Sequence, residues 1–178
     1  RIRDRFMALR EVLHFPDPRL KLVSEPITEV TEEIRELARD MIEVMYDEPG
    51  IGLAAPQVGA SVRMFVIDTE WSDEEIGKHP SVIINPEISD REGRITWDEG
   101  CLSVPNYDAT VERDAKITLR GQDLDGNTIE EQAEGLRAVC IQHEVDHLDG
   151  ILFIDRISRL KRGLYIKKRK KQLAEERE

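Results

Sequence analysis

The sequence predicts an α+β protein: mostly antiparallel sheets around a central helix, with an N-terminal helix before them and a C-terminal helix at the end. Three observations point there. Apolar residues recur at helical spacing in separate stretches, β-branched runs cluster between them, and turn residues rather than helices connect those runs.

The elements follow in order. Leu9 to Leu13 is a short apolar run ahead of the turn-forming Phe15-Pro16-Asp17-Pro18. Ile34, Leu37, Ala38, Met41, Ile42 and Met45 share one face of a helix. Thr31 is placed to cap it, Glu32 and Glu33 suit the positive end of its dipole, and Pro49-Gly50 closes it. Val62–Asp68 and Val82–Ile84 read as strands, the second closed by Asn85-Pro86. Lys116–Arg120 and Thr128–Ala133 flank Asp125-Gly126-Asn127, a hairpin signal. A second helix is expected from Gly135 to Asp149, with Leu136, Val139, Cys140, His143 and His147 on one face and Gly150 as the residue that stops it. Ile151–Ile154 reads as another strand. A last helix is expected from about Ser158, its inner side formed by Leu160, Leu164 and Tyr165.

Composition narrows the class. The chain has 178 residues, 39% hydrophobic and 35% charged, with a formal net charge of −11. One domain, residues 1–178, is expected. No apolar run is long enough to span a membrane. Two cysteines, Cys101 and Cys140, are too few for a disulfide framework, and the first twenty residues hold no apolar core of a secretory signal, so the expected compartment is cytoplasmic. Residues 156–172 carry nine basic side chains and no acidic one, whereas residues 1–155 sum to −18. The basic helical segment 156–178 suits either a polyanionic partner or plain solvation.

The strongest chemical signal is His143-Glu144-Val145-Asp146-His147. Two imidazoles at i and i+4 lie on one face of a helix and can chelate a metal, and the intervening Glu144 is placed to act as a base toward water. No good third ligand follows downstream. Upstream, Glu99-Gly100-Cys101-Leu102-Ser103 offers a thiolate, and a Cys/His/His set leaves one coordination position open. Taken alone, Cys101 also fits a small buried hydrophobe. Gly50-Ile51-Gly52-Leu53-Ala54-Ala55-Pro56-Gln57 lacks the third glycine and the Lys-Ser/Thr of a phosphate loop. It suits a tight turn, or a close approach of substrate backbone with Gln57 aimed at an oxyanion.

In this order, G-I-G-L-A-A-P-Q, E-G-C-L-S and Q-H-E-V-D-H resemble the three signature motifs of peptide deformylases. Phe15-Pro16-Asp17-Pro18-Arg19-Leu20 and the basic C-terminal segment resemble the bacterial type of that family. The resemblance implies a metal-dependent hydrolase that removes the N-terminal formyl group from formyl-methionyl nascent peptides and releases formate. It implies Cys101, His143 and His147 as metal ligands, Glu144 as the catalytic acid/base, and Gln57 with the Leu102 backbone N–H as the oxyanion hole. Ile51 and Trp97 match pocket positions of the family. Leu136, Val139 and Cys140, on the face of His143, are candidates for the methionine pocket, and Gly52 and Gly100 allow backbone to come close. The implied ion is divalent, Fe²⁺ in the cell, although Zn²⁺, Ni²⁺ and Co²⁺ also suit a Cys/His/His set. The implied partner of the basic segment is the ribosome, with no membrane involved. Two other classes stay open at this level: an H-E-x-x-H endopeptidase, and a non-catalytic ribosome- or nucleic-acid-binding module.

Overall fold

The computed structural model describes residues 10–178. Leu9, the start of the first apolar run, lies outside the described residues, while Val12 and Leu13 are buried. Helix α1 (Glu32–Asp47) begins where the sequence placed its cap: Thr31 Oγ accepts the Ile34 N–H at 3.3 Å. Leu37, Ala38, Met41, Val44 and Met45 are its buried stripe, and Ile34 and Ile42 pack half-buried beside them.

Five strands follow: β1 (Gly52–Ala54), β2 (Met64–Ile67), β3 (Ser81–Cys101), β4 (Val104–Gln122) and β5 (Thr128–Glu134). They form one five-stranded antiparallel sheet in chain order. The turn at Asp125-Gly126-Asn127 joins β4 to β5, with Asp123 Oδ1 accepting the N–H groups of Asp125 and Asn127 at 2.9 Å each.

Strand β3 corrects the sequence reading, because Asn85-Pro86 does not end it. Asn85 takes a positive φ of 50° within a bulge between Ile84 and Glu87. Its side chain accepts the Ile27 N–H at 2.9 Å and donates to the Ile27 carbonyl at 2.8 Å. The ladder therefore breaks at a point that can hold a proline, then resumes to Cys101. There a two-residue turn, Leu102-Ser103, returns the chain into β4, with Cys101 opposite Val104.

Helix α2 (Gly135–Leu148) is buried almost all round; every residue from Ala138 to Glu144 is covered. Gln142 stitches it to β4, donating to the Asp114 carbonyl at 2.9 Å and accepting the Asp114 N–H at 3.0 Å. Gly150 stops the helix at φ +74°, and a Cβ there would run into the Lys21 carbonyl. The expected strand at Ile151–Ile154 is instead an extended pair running into a 3₁₀ turn, Phe153–Arg156. Asp155 Oδ2 accepts the Leu152 N–H at 2.9 Å and folds the segment back on itself.

Helix α3 (Arg159–Glu176) is capped by Ser158. Its inner side agrees with the expectation only at Tyr165, which is buried, together with Arg169; Leu160 and Leu164, also expected there, are 74% and 61% exposed. The helix touches the body along a narrow stripe one turn apart. Tyr165 packs against Tyr107 and Phe15, with ring centroids 4.7 and 5.8 Å apart, and Arg169 Nε donates to the Phe15 carbonyl at 2.9 Å. No helix among the described residues is long and apolar enough to cross a membrane.

Replacing Tyr165 with alanine should therefore cost about 3 kcal/mol in thermal unfolding, and truncation from Lys161 onward should lower the midpoint as well. Leu164→Ala, on the solvent side, should stay within about 0.5 kcal/mol of the parent.

Candidate active site

Three elements converge beneath one cleft of about 360 Å³. Helix α2 brings His143 and His147 one turn apart. The end of β3 brings Cys101. The 3₁₀ turn Ala55–Val58, just after β1, brings Gln57. Cys101 Sγ lies 3.4 Å from His147 Nε2, and that atom lies 3.3 Å from His143 Nε2. The three donor atoms fall within 4.8 Å of one another.

This donor set fits a divalent ion. His143 Nδ1 sits 2.9 Å from Glu99 Oε1, so its proton is committed to that carboxylate and the Nε2 lone pair faces Cys101 and His147. Soft sulfur and two imidazole nitrogens, gathered in a buried corner, are ligands of zinc or iron and leave room for a fourth position. His147 Nδ1 and Glu144 Oε2 are buried with no hydrogen-bond partner among the described residues.

Behind these three side chains lies a charged lattice that no sequence motif announced. Arg113 holds Glu99 through two parallel bonds, Nε to Oε2 and Nη2 to Oε1, both 2.8 Å, and reaches Asp146 Oδ2 with Nη1 at 2.6 Å. Arg156 closes the far end, with Nη2 donating to Asp146 Oδ1 at 2.8 Å. Arg113 and Glu99 are about 3% and 5% exposed. Burial raises the Glu99 carboxyl, but the bonds from Arg113 and then His143 outweigh it and hold the group at about 2. The signal available in the sequence was the i+3 spacing of Asp146 behind His143; nothing marked Arg113.

Glu144 stands one residue along from His143, with Oε1 3.8 Å from its Nε2. Burial pushes its carboxyl up to about 7, against the lowering pull of charge on His143. Gln57 is fixed at both ends of its amide. Its Oε1 accepts the Ala54 N–H at 2.9 Å, and its Nε2 donates to Ser103 Oγ at 3.1 Å while lying 3.6 Å from Cys101 Sγ. The backbone behind it is anchored too: Leu13 N–H donates to the Gln57 carbonyl and Phe15 N–H to the Ser103 carbonyl, each at 2.7 Å.

Ile51, Gly52, Trp97, Gly100, Leu102, Val139 and Cys140 line the same cleft. Leu136 does not; it sits half-buried at the start of α2, a turn short of the opening. Gly52 is packed so closely that a Cβ would lie 2.9 Å from Cys140 Sγ and 3.1 Å from the Glu144 side chain. Residues of β1 and of the end of β3 both line the cleft. β1 ends the sheet, and the outer half of β3 pairs only with β4 among the described residues.

Comparison with known proteins agrees with this architecture. The Polypeptide deformylase family profile matches residues 9–163. The peptide deformylase of Bradyrhizobium diazoefficiens is 54% identical over 165 residues, covering 91% of this chain and 95% of its own. That of Alkalilimnicola ehrlichii is 53% identical over 156 residues, 88% and 86% of the two chains. Among solved structures, a peptide deformylase from Legionella pneumophila superposes with a TM-score of 0.87 at 42% identity, covering 96% of this chain and 99% of its own. One from Ehrlichia chaffeensis in complex with actinonin gives 0.85 at 40% identity over 93% and 98%.

Glu99→Gln keeps an acceptor for His143 but removes the charge. Metal affinity, measured by competition with a chelator, should fall about tenfold, and unfolding should come earlier because Arg113 loses half its neutralisation.

Proposed function

The chain belongs to the polypeptide deformylase family, and on that premise we propose which of its residues carry the reaction. The reaction is the metal-dependent hydrolysis of the N-terminal formyl group of nascent peptides. The observation that carries the assignment is the convergence of Cys101 Sγ and the two Nε2 atoms beside an amide-fixed Gln57 and a buried Glu144.

Cys101, His143 and His147 would hold the ion. Once bound, it supplies Lewis acidity toward the formyl carbonyl and lowers the pKa of water. We assign the proton work to Glu144. It takes the proton of the attacking water and later delivers it to the departing nitrogen as the formamide C–N bond breaks, leaving formate and a free amine. Gln57 Nε2 and the Leu102 N–H donate to the oxygen that gains charge in the tetrahedral state. The bonds from Ala54 and to Ser103 hold the Gln57 amide in place before reaction, so no reorganisation is needed when charge develops.

The substrate enters as an extended strand beside the unpaired backbone of β1 and of the outer half of β3, both of which line the cleft. Its methionine side chain points inward, onto Val139, Cys140, Ile51 and Trp97. Gly52 and Gly100 let its backbone come close. Leu136 is left as packing.

For the ion we propose Fe²⁺ in the cell, with Zn²⁺, Ni²⁺ and Co²⁺ as acceptable replacements in the same ligand set. The compartment that fits is the reducing cytoplasm, since Cys101 and Cys140 are both unbridged and Cys101 must remain a thiolate. We read residues 1–178 as one domain whose basic segment, 156–178, docks on the ribosome. Leu160 and Leu164 stand exposed among the lysines and arginines of α3, a surface suited to RNA phosphates with a small apolar contact.

Formate release from a formyl-methionyl peptide tests the assignment. Glu144→Gln should retain its metal yet lose several orders of magnitude in turnover, and near-normal turnover would remove Glu144 from the chemistry. Docking is tested separately. Replacing the exposed Lys167, Lys168 and Lys171 by glutamate leaves Tyr165 and Arg169 in place, so it should abolish low-salt co-sedimentation with ribosomes and spare hydrolysis of a short peptide.

A further inference from the structure

The segment 68–80, which joins β2 to β3, holds two large apolar side chains, Trp71 and Ile76. Ile76 stands 43% exposed. Trp71 is half-buried, yet it belongs to none of the buried apolar clusters and does not line the cleft. Its indole instead turns back to the stretch between α1 and β1, where Nε1 donates to the Gly50 carbonyl at 2.9 Å.

The ring is clamped in that position. Tyr46, from α1, meets it edge to face, with centroids 5.3 Å apart and an interplanar angle of 79°. The Lys78 ammonium lies over both rings, 4.5 Å from the Tyr46 centroid and 5.7 Å from that of Trp71. Asp68, only 4% exposed, closes the segment on itself: its Oδ2 accepts the Tyr46 hydroxyl at 2.5 Å and the His79 N–H at 2.8 Å. Both ends of the segment and the end of α1 therefore meet at one carboxylate oxygen.

What the clamp grips is the backbone just before β1. Gly50 N–H donates to the Met45 carbonyl at 2.6 Å, Trp71 holds the Gly50 carbonyl, and Asp68 N–H holds the Ile51 carbonyl at 2.8 Å, one step past the Gly52–Ile67 pair. Gly50, Ile51 and Gly52 line the cleft, whereas β1 pairs only with β2. A glycine on each side of Ile51 leaves this ledge little stiffness of its own. We propose that Trp71 is a positioning residue for deformylation. It acts through the Gly50 carbonyl, fixes the Gly50–Gly52 ledge before the peptide arrives, and so serves capture of the peptide rather than cleavage of the formamide bond. The proposal rests on the strand-addition reading of the cleft given above.

The kinetic signature follows from where the bond sits. The ledge binds ground state and transition state alike, so a loosened ledge raises KM and leaves kcat in place. Losing the single indole hydrogen bond while keeping a ring should raise KM about fivefold. Removing the ring as well also frees Tyr46 and Lys78, and the rise should then exceed tenfold. Lys78→Met removes only the ammonium above the rings and should raise KM no more than about threefold.

The test measures kcat and KM separately for formyl-Met-Ala-Ser on the metal-loaded enzyme, with metal content and thermal midpoint recorded for each protein. Trp71→Phe, which keeps the ring and loses the donor, should raise KM at unchanged kcat and unchanged metal content. Trp71→Ala should raise it further, and Ile76→Ala, exposed on the same segment, should match the parent. Parent-like KM in Trp71→Phe, or a loss confined to kcat, would overturn the proposal. So would a Trp71→Phe protein that sheds metal or melts early, since Trp71 would then be general support for the fold. Trp71→Phe decides the matter even if Trp71→Ala does not fold. A parent enzyme that releases no formate would instead remove the reading of the cleft itself.

Discussion

The bidentate pair between Arg113 and Glu99 is the interaction on which the rest of the site depends. A buried carboxylate beside a histidine has two stable states, and without a cation Glu99 would take up a proton. Arg113 prevents this, so Glu99 stays an acceptor and His143 must present its Nε2. Asp146 and Arg156 then neutralise Arg113 in turn and carry the lattice to the surface. Such a chain brings little net stability for the charges it buries, and breaking one member costs more than the pair contributes. Its return is orientation: it fixes a ring whose misplacement would scatter the three donor atoms.

That lattice also explains the shape of α2. The helix carries charged and polar residues, yet from Ala138 to Glu144 it has no solvent face. Gln142, His143, Glu144 and Asp146 are covered because each has a partner waiting on β3 or β4 or a place in the cleft. A helix of this kind has no clean amphipathic stripe, and its burial is set by the sheet that surrounds it rather than by its own periodicity.

The elements legible in the sequence were those with local causes. The cap at Thr31, the stop at Gly150, the turn at Asp125-Gly126-Asn127 and the histidine pair at i, i+4 all depend on neighbours within a few residues. What was not legible depended on distant ones. The outer half of β3 carries few apolar residues, because one face meets solvent and the other meets a cleft, so no alternating pattern marked it as a strand. Asn85-Pro86 looked like an end because the bulge that holds it is secured by Ile27, far away in the chain. Ile151–Ile154 has strand-like composition, but Asp155 bends it. Tyr165 was placed on the inner side of α3, but that Arg169 joins it and that Leu160 and Leu164 do not could not be told without knowing how α3 crosses the body. The three motifs were found and their placement agrees with the fold; the arginine that supports them was not, because a lone arginine in a polar strand has no signature.

The proposed mode of binding, in which substrate adds as a strand beside β1 and the end of β3, sets a condition on timing: a peptide can bind so only while its own first residues are unpaired and extended. Once a newly made chain has folded its N-terminus into a sheet or helix, those backbone groups are spent. Removal of the formyl group thus competes with folding of the protein being made. Chains grow at roughly 5–20 residues per second, and small domains fold in microseconds to seconds. The interval in which the N-terminus has emerged but a domain has not yet collapsed is therefore short. Proteins whose first strand or helix docks early should keep their formyl group more often than those whose N-terminus stays loose.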